Sequence, residues 1–210
     1  MDITLIVLTA SSKHKNLCVA GIDVTTGDFI RLVSDDGGIN YAIPCGSTRY
    51  LDGTYCSPLD VIKVSIIEHR PLEFQPENIL VDLNKRWEKV GQASLQDVIS
   101  IHPFDNHKFI FGNASYAVNE TIAKSLGHSL TLVQVENFEL FTAQNVQGQM
   151  RSKCRFKYQN NQYDDMSVTD PMLYGYPKGF KSDEAILVIS IPNDGPWLYK
   201  FVSKAFLPQP

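Results

Sequence analysis

Four basic residues at every second position, Arg151, Lys153, Arg155 and Lys157, are the residues of this chain whose types and spacing point most directly to chemistry. Successive side chains on a strand alternate faces, so a strand here presents four cations on one side and Ser152, Cys154, Phe156 and Tyr158 on the other. Such a row suits the phosphates of a nucleic-acid backbone. Aromatic residues follow at Tyr163, Tyr174, Tyr176 and Phe180, with Lys178 and Lys181 among them. Each aromatic ring can stack on an unpaired base for about 1–3 kcal/mol. Four cations neutralising four phosphates of a single strand would give a slope of log affinity against log salt of about −3, from roughly −0.7 per phosphate. The competing reading is a solvated sheet face, balanced by Asp164, Asp165 and Asp170 on and after the return strand.

Two further arginines are candidates for the same work. Arg49 lies with Tyr41, Tyr50 and Tyr55 in a loop from 34 to 57 that is too long for a plain connector. Its tyrosines either stack on bases or anchor the loop to a core. Arg31 is expected to share a strand face with Phe29 and Val33. Its guanidinium is then either a ligand contact at the sheet edge or a structural ion pair, with Asp23 or Asp60 as partner.

Other chemistries find less support. The chain has no phosphate-cradling glycine loop, no GxSxG elbow and no HExxH, so it reads as a non-enzyme. His102, Asp105 and His107 are close in sequence but fall in a turn, where their spacing has no geometric meaning for a metal or an acid/base pair. Cys18, Cys45, Cys56 and Cys154 are irregularly spaced, and Cys18 and Cys154 read as core residues. Cys45 and Cys56 with His14 or His69 make only a weak case for zinc, so no metal and no cofactor are expected. The Asp35-Asp36 and Asp164-Asp165 pairs point apart on a strand and cannot jointly hold an ion. A net charge of −4 over 210 residues argues against indiscriminate coating of nucleic acid, leaving a local patch as the site of any anion binding. The N-terminus lacks a basic region and a cleavage pattern, and no segment reaches the roughly 18 apolar residues of a membrane span, so the chain is expected to be soluble and cytoplasmic.

The elements that must position these residues are mostly strands. Asp2 to Thr9 opens the chain, a hairpin joins Leu17–Val24 to Asp28–Val33 across Thr25-Thr26-Gly27, and Pro58–Ile67 is a buried strand. Helical spacing is read over Leu83–Val90, over Ser94–Ile101 with Ser94 as N-cap, and over Ala117–Leu126 with Gly127 as the stop. Leu130–Thr142 is a long strand whose period slips near Asn137, as in one that bends around a small barrel. The cationic hairpin over 151–170 follows, then strands at Ala185–Ile191 and Trp197–Phe206.

The two halves repeat an order: strand, hairpin, long loop, buried strand. Lys63-Val64-Ser65-Ile66 corresponds to Val188-Ile189-Ser190-Ile191, and Cys18 to Cys154. The expected architecture is mostly β, with two related small barrels, at 1–81 and 129–210, joined by a helical connector at 82–128.

The pieces CVAGID..TG.FIRLVS (Cys18 to Ser34), SPLDVIKV (Ser57 to Val64) and the arginine strand ending in VTDP (Val168 to Pro171) resemble the bacterial dual OB-containing domain family. The resemblance covers most of the chain and implies two OB-type barrels, no known catalytic residues and an inferred nucleic-acid-binding role. The partner expected first is single-stranded DNA or RNA. The alternative is a protein partner, docking on barrel edges and aromatic loops, for which binding would depend little on salt.

Overall fold

The computed structural model describes residues 1–13, 16–35, 41–145, 148–177, 179–193 and 197–208; His14, Asp36 and Lys178 lie outside them. The chain divides into two compact units, Met1–Pro103 and Phe104–Pro210.

The first unit contains β1 (Asp2–Lys13), β2 (Asn16–Asp23), β3 (Phe29–Val33), β4 (Asp60–His69), β5 (Asn78–Val81), β6 (Glu88–Gln92) and α1 (Leu95–Ile101). β1 pairs with β2, β2 with β3, β3 runs parallel to β5, β5 pairs with β4, and β4 returns to β1. The ring therefore closes, and β6 adds to β4. Inside it Leu5, Val7, Val19, Leu32, Ile62, Val64 and Trp87 form one buried cluster. Gly21 is required where β1 and β2 approach: a Cβ there would collide with the carbonyl of Ile6, next to the register shift between Val7 and Thr9.

The second unit contains β7 (Ala117–Asn119), α2 (Glu120–Leu126), β8 (Leu130–Gln144), β9 (Met150–Tyr158), β10 (Asn161–Val168), β11 (Lys181–Ser190), β12 (Trp197–Tyr199) and β13 (Phe201–Phe206). β8, β9, β10, β13 and β11 close a barrel in the same cyclic order, again with its third and fifth strands parallel. β8 bends where the alternation slips: Asn137 has φ 54°, and the register shifts between Glu136 and Glu139. Gln159 and Asn160, both at positive φ, make the two-residue turn of the cationic hairpin.

The middle of the chain differs from expectation. Residues 83–90 do not form a helix: Trp87 packs in the first core, and Glu88–Gln92 pairs along β4. Ladder pairing and burial of one large ring outweigh the short helical spacing. The helix at Ser94 forms with a full capping box, Ser94 Oγ accepting from the Asp97 amide at 3.1 Å and the Asp97 carboxylate from the Ser94 amide at 2.7 Å. The helix expected over 117–126 is shortened to α2, because Ala117–Asn119 pairs with β12 instead. The two helices fall in different units, and the boundary at 103/104 cuts the segment read as a connector.

Candidate nucleic-acid interface

The β8–β9–β10 registers sort every side chain of the cationic hairpin. Directly opposed residues of antiparallel strands share a face, so Leu140, Cys154 and Met166 form one inward row and Phe156 with Tyr163 another. All five are 0–4% exposed. The four cations therefore point outward, as the alternation requires.

What they meet there is mixed. Arg155 lies opposite Glu139, with Nε 3.9 Å from the carboxylate, and its guanidinium rests 4.7 Å from the Phe141 ring centroid. Lys157 lies opposite Glu136 on one side and Gln162 on the other. Lys153 Nζ donates to the Asp165 carbonyl and to Ser167 Oγ, both at 3.1 Å, and lies 3.3 Å from the Asp165 carboxylate. Arg151 lies opposite Ala143 and donates to Gln149 Oε1 at 2.5 Å, so among the described residues it has no carboxylate across the ladder. Asp165 reaches Lys153 because β10 bulges between Tyr163 and Met166 and Asp165 takes a positive φ of 58°. The bulge also leaves both Asp164 and Asp165 exposed, so the simple alternation fails at that pair. Asp170 does not balance the row. It is 1% exposed and accepts from Lys204 Nζ at 3.0 Å and the Ala205 amide at 3.1 Å.

The aromatic candidates separate. Tyr163 is fully buried and cannot stack on a base: its hydroxyl accepts from the Ile110 amide at 2.9 Å and donates to the Asn113 carbonyl at 3.1 Å. Burial pushes its phenol up to about 12. The two-residue turn at 159–160 already places Tyr163 across from inward Phe156, so the register carried this signal. Tyr174 and Tyr176 are 55% and 40% exposed, and Phe180 packs edge-on against Tyr176 at 5.0 Å. Partial burial raises the Tyr174 phenol, and of the two charges acting on it Asp170 raises it further while Arg151 lowers it. Arg151 therefore lies within electrostatic reach of the aromatic loop. Phe141, under Arg155, was not a sequence candidate; its place on β8 opposite Lys153 is visible only once the register is known.

The first unit is organised differently. Arg31 is 4% exposed, and its Nε lies 3.3 Å from the Glu77 carboxylate, so it is a structural ion pair and not a ligand contact. Neither expected partner is used: Asp23 accepts from the Thr25 amide at 2.6 Å in the hairpin turn, and Asp60 accepts from Tyr50 at 2.9 Å and pairs with Lys89 at 2.6 Å. Arg49 is exposed, donates to the Gly53 carbonyl at 3.1 Å and stands 6.0 Å from the Tyr55 ring. Of the loop tyrosines, Tyr41 and Tyr55 are exposed, whereas Tyr50 is buried.

His102 and His107 belong to different units, and the Asp105 carboxylate is taken up by the Thr131 hydroxyl at 2.7 Å and the Leu132 amide at 2.8 Å. Among the described residues no three His, Cys, Asp or Glu side chains are grouped as metal ligands would be. Cys154 is buried as expected, but Cys18 is only partly buried and faces Arg31, with 3.8 Å between Sγ and Nη1.

Two rings with strand order 1-2-3-5-4-1 and a parallel 3–5 pair define a protein of two OB-type barrels. The chain belongs to the dual OB-containing domain family, whose model matches residues 3–205. No curated protein matches it. It is similar to a solved structure of a murine DNA binding protein bound with double-stranded DNA, at 12% identity and a TM-score of 0.37, over 98% of this chain and 96% of that one. It is also similar to a chain from a structure described as the molecular basis for abrogation of activation of pro-inflammatory cytokines, at 14% identity and a TM-score of 0.34, over 100% and 93%. At these scores neither likeness bears on what the chain binds. Among the described residues no helix is long and apolar enough to cross a membrane.

Proposed function

We propose that the second unit is a non-enzymatic module for single-stranded DNA or RNA, with Arg151 and Arg155 at phosphates and Tyr174, Tyr176 and Phe180 stacking on bases. The observation that carries this reading is Arg151, exposed at the start of β9 and, among the described residues, without a carboxylate across the ladder, whose charge acts on the Tyr174 phenol of an exposed aromatic loop. OB barrels use the face of their second and third strands for such ligands, and β9 and β10 hold those places in this ring. Glu136, Glu139 and Asp165 reduce the effective charge of the row, so fewer phosphates are neutralised than four cations would allow. Two arginines give a slope of log affinity against log salt of about −1.4, from roughly 0.7 per phosphate.

Fluorescence anisotropy of labelled single-stranded DNA and RNA, over a salt series, tests the reading. Saturable binding with that shallow slope, weakened by Arg151→Ser in a still-folded protein, supports it. Absence of binding up to the order of 100 μM at low salt, the weak end of ordinary non-specific affinities, would sink it.

A further inference from the structure

We infer that the ribbon of β7 and β12 carries a second stacking site for unpaired nucleobases, on strands that are not part of the barrel ring. The inference rests on the single-strand reading above. Trp197, Tyr199 and Tyr116 are 57%, 48% and 48% exposed, while Leu198 and Val118 between them are fully buried. Leu198 and Val118 are register partners, so they pin the ribbon by one face and leave the aromatic rings on solvent. Tyr116 and Tyr199 stack nearly parallel, 8° apart in plane with centroids at 6.0 Å, so the pair offers its outer ring faces to solvent. Large exposed rings gathered in one place mark interaction sites more often than chance.

The surface is also rigidly held. Lys200, directly after Tyr199, is fully buried; its ammonium donates to the Ile110 carbonyl at 2.6 Å, the Asn113 carbonyl at 2.7 Å and Asn113 Oδ1 at 2.8 Å. Its backbone amide donates to the Tyr116 carbonyl at 2.8 Å, so one residue fixes both tyrosines. The ribbon strand β12 lies in the connection between the fourth and fifth barrel strands, a segment that OB barrels place beside their ligand face. Among the described residues, Glu120, which directly follows β7, is paired with Lys124 at 3.2 Å, and β7 and β12 carry no cation of their own. Recognition there is therefore through ring faces, which every base offers, and not through phosphate.

Trp197 gives a local readout, since the other tryptophan of the chain, Trp87, is 1% exposed in the first core. Titrating the full chain with unlabelled oligodeoxythymidylate should quench Trp197 fluorescence, and the change should vanish in Trp197→Phe. Tyr199→Ser should weaken binding by about 5-fold or more, the value of one stacked base, with the salt slope unchanged. Arg151→Ser, by contrast, should flatten that slope by roughly 0.7. Binding by anisotropy with unaltered Trp197 fluorescence and unaltered affinity in Tyr199→Ser would overturn the ribbon site and leave the β9 reading standing. Absence of any oligonucleotide binding would overturn both.

Discussion

The two barrels share one ring of strands and put opposite surfaces on it. In the first, the outward pairs of the second and third strands are Ala20 with Arg31 and Ile22 with Phe29, and Ala20, Ile22 and Arg31 are at most 4% exposed. In the second, the corresponding strands present Arg151, Lys153, Arg155 and Lys157, with Arg151 and Arg155 exposed. An arginine is thus a buried half of an ion pair in one barrel and a solvent-facing charge in the other. Topology alone says nothing of ligand, and the outward residue set decides which barrel can offer a binding face.

The largest effect that tests this contrast is on stability. Arg31→Ala leaves Glu77 as a buried charge without its guanidinium and should cost about 3–5 kcal/mol in the first unit. A urea titration reads this cleanly in a Trp197→Phe background, where Trp87 of the first core is the remaining fluorophore. The double replacement Arg31→Met with Glu77→Leu should recover most of the loss, because an apolar pair of similar volume removes both charges. An unchanged midpoint in Arg31→Ala would show that the two barrels treat their arginines alike.

The second effect separates the units by pH. Burial pulls the Lys200 ammonium down from its ordinary 10.5 to about 7. Between those values the unfolded chain holds a proton that the folded one has given up, so stability rises with pH from about 7 to 10.5; on acidification it is lost over that same window and stays level below about 7, where both states are protonated. Lys200→Met, which fills the same space without charge, should flatten that dependence in the second unit. The Trp87 signal of the first unit should keep its own pH profile. A slope that survives Lys200→Met would place its origin in another group.

Much of this contrast was legible in the sequence, and the gaps have physical reasons. Alternation along 151–158 gave the inward and outward sets, the slip near Asn137 marked the bend of β8, and Ser94 with Asp97 announced a capped helix. The partner of Arg31 was not legible, because Glu77 is 46 residues away and is brought to it by the parallel β3–β5 pairing. Glu136 and Glu139 were overlooked for the same reason: only the β8–β9 register sets them against Lys157 and Arg155. Trp87 misled because a helical spacing of three residues is too short to outweigh its burial in a sheet core. The ribbon rings were hidden differently. Trp197–Phe206 reads as one strand, and the break at Lys200, which exposes Tyr199 and buries the lysine, depends on acceptors from 110–113.

The smallest effect on stability is the sharpest on function. Glu139 lies opposite Arg155 and Asp165 reaches Lys153 from the bulge, each pair with one well-exposed partner, Arg155 at 46% and Asp165 at 53%, so removing the carboxylate changes stability by about 1 kcal/mol. Their consequence for binding is larger than that, since each screens a charge that a phosphate would use. Glu139→Gln with Asp165→Asn should release Arg155 and Lys153, strengthen oligonucleotide binding at low salt, and steepen the salt slope by roughly 0.7 for each cation newly engaged. The urea midpoint should barely move. If affinity and slope stay fixed while the protein remains folded, the cations of β9 are a solvated face as inert as the exterior of any sheet, and the second barrel differs from the first in charge but not in use.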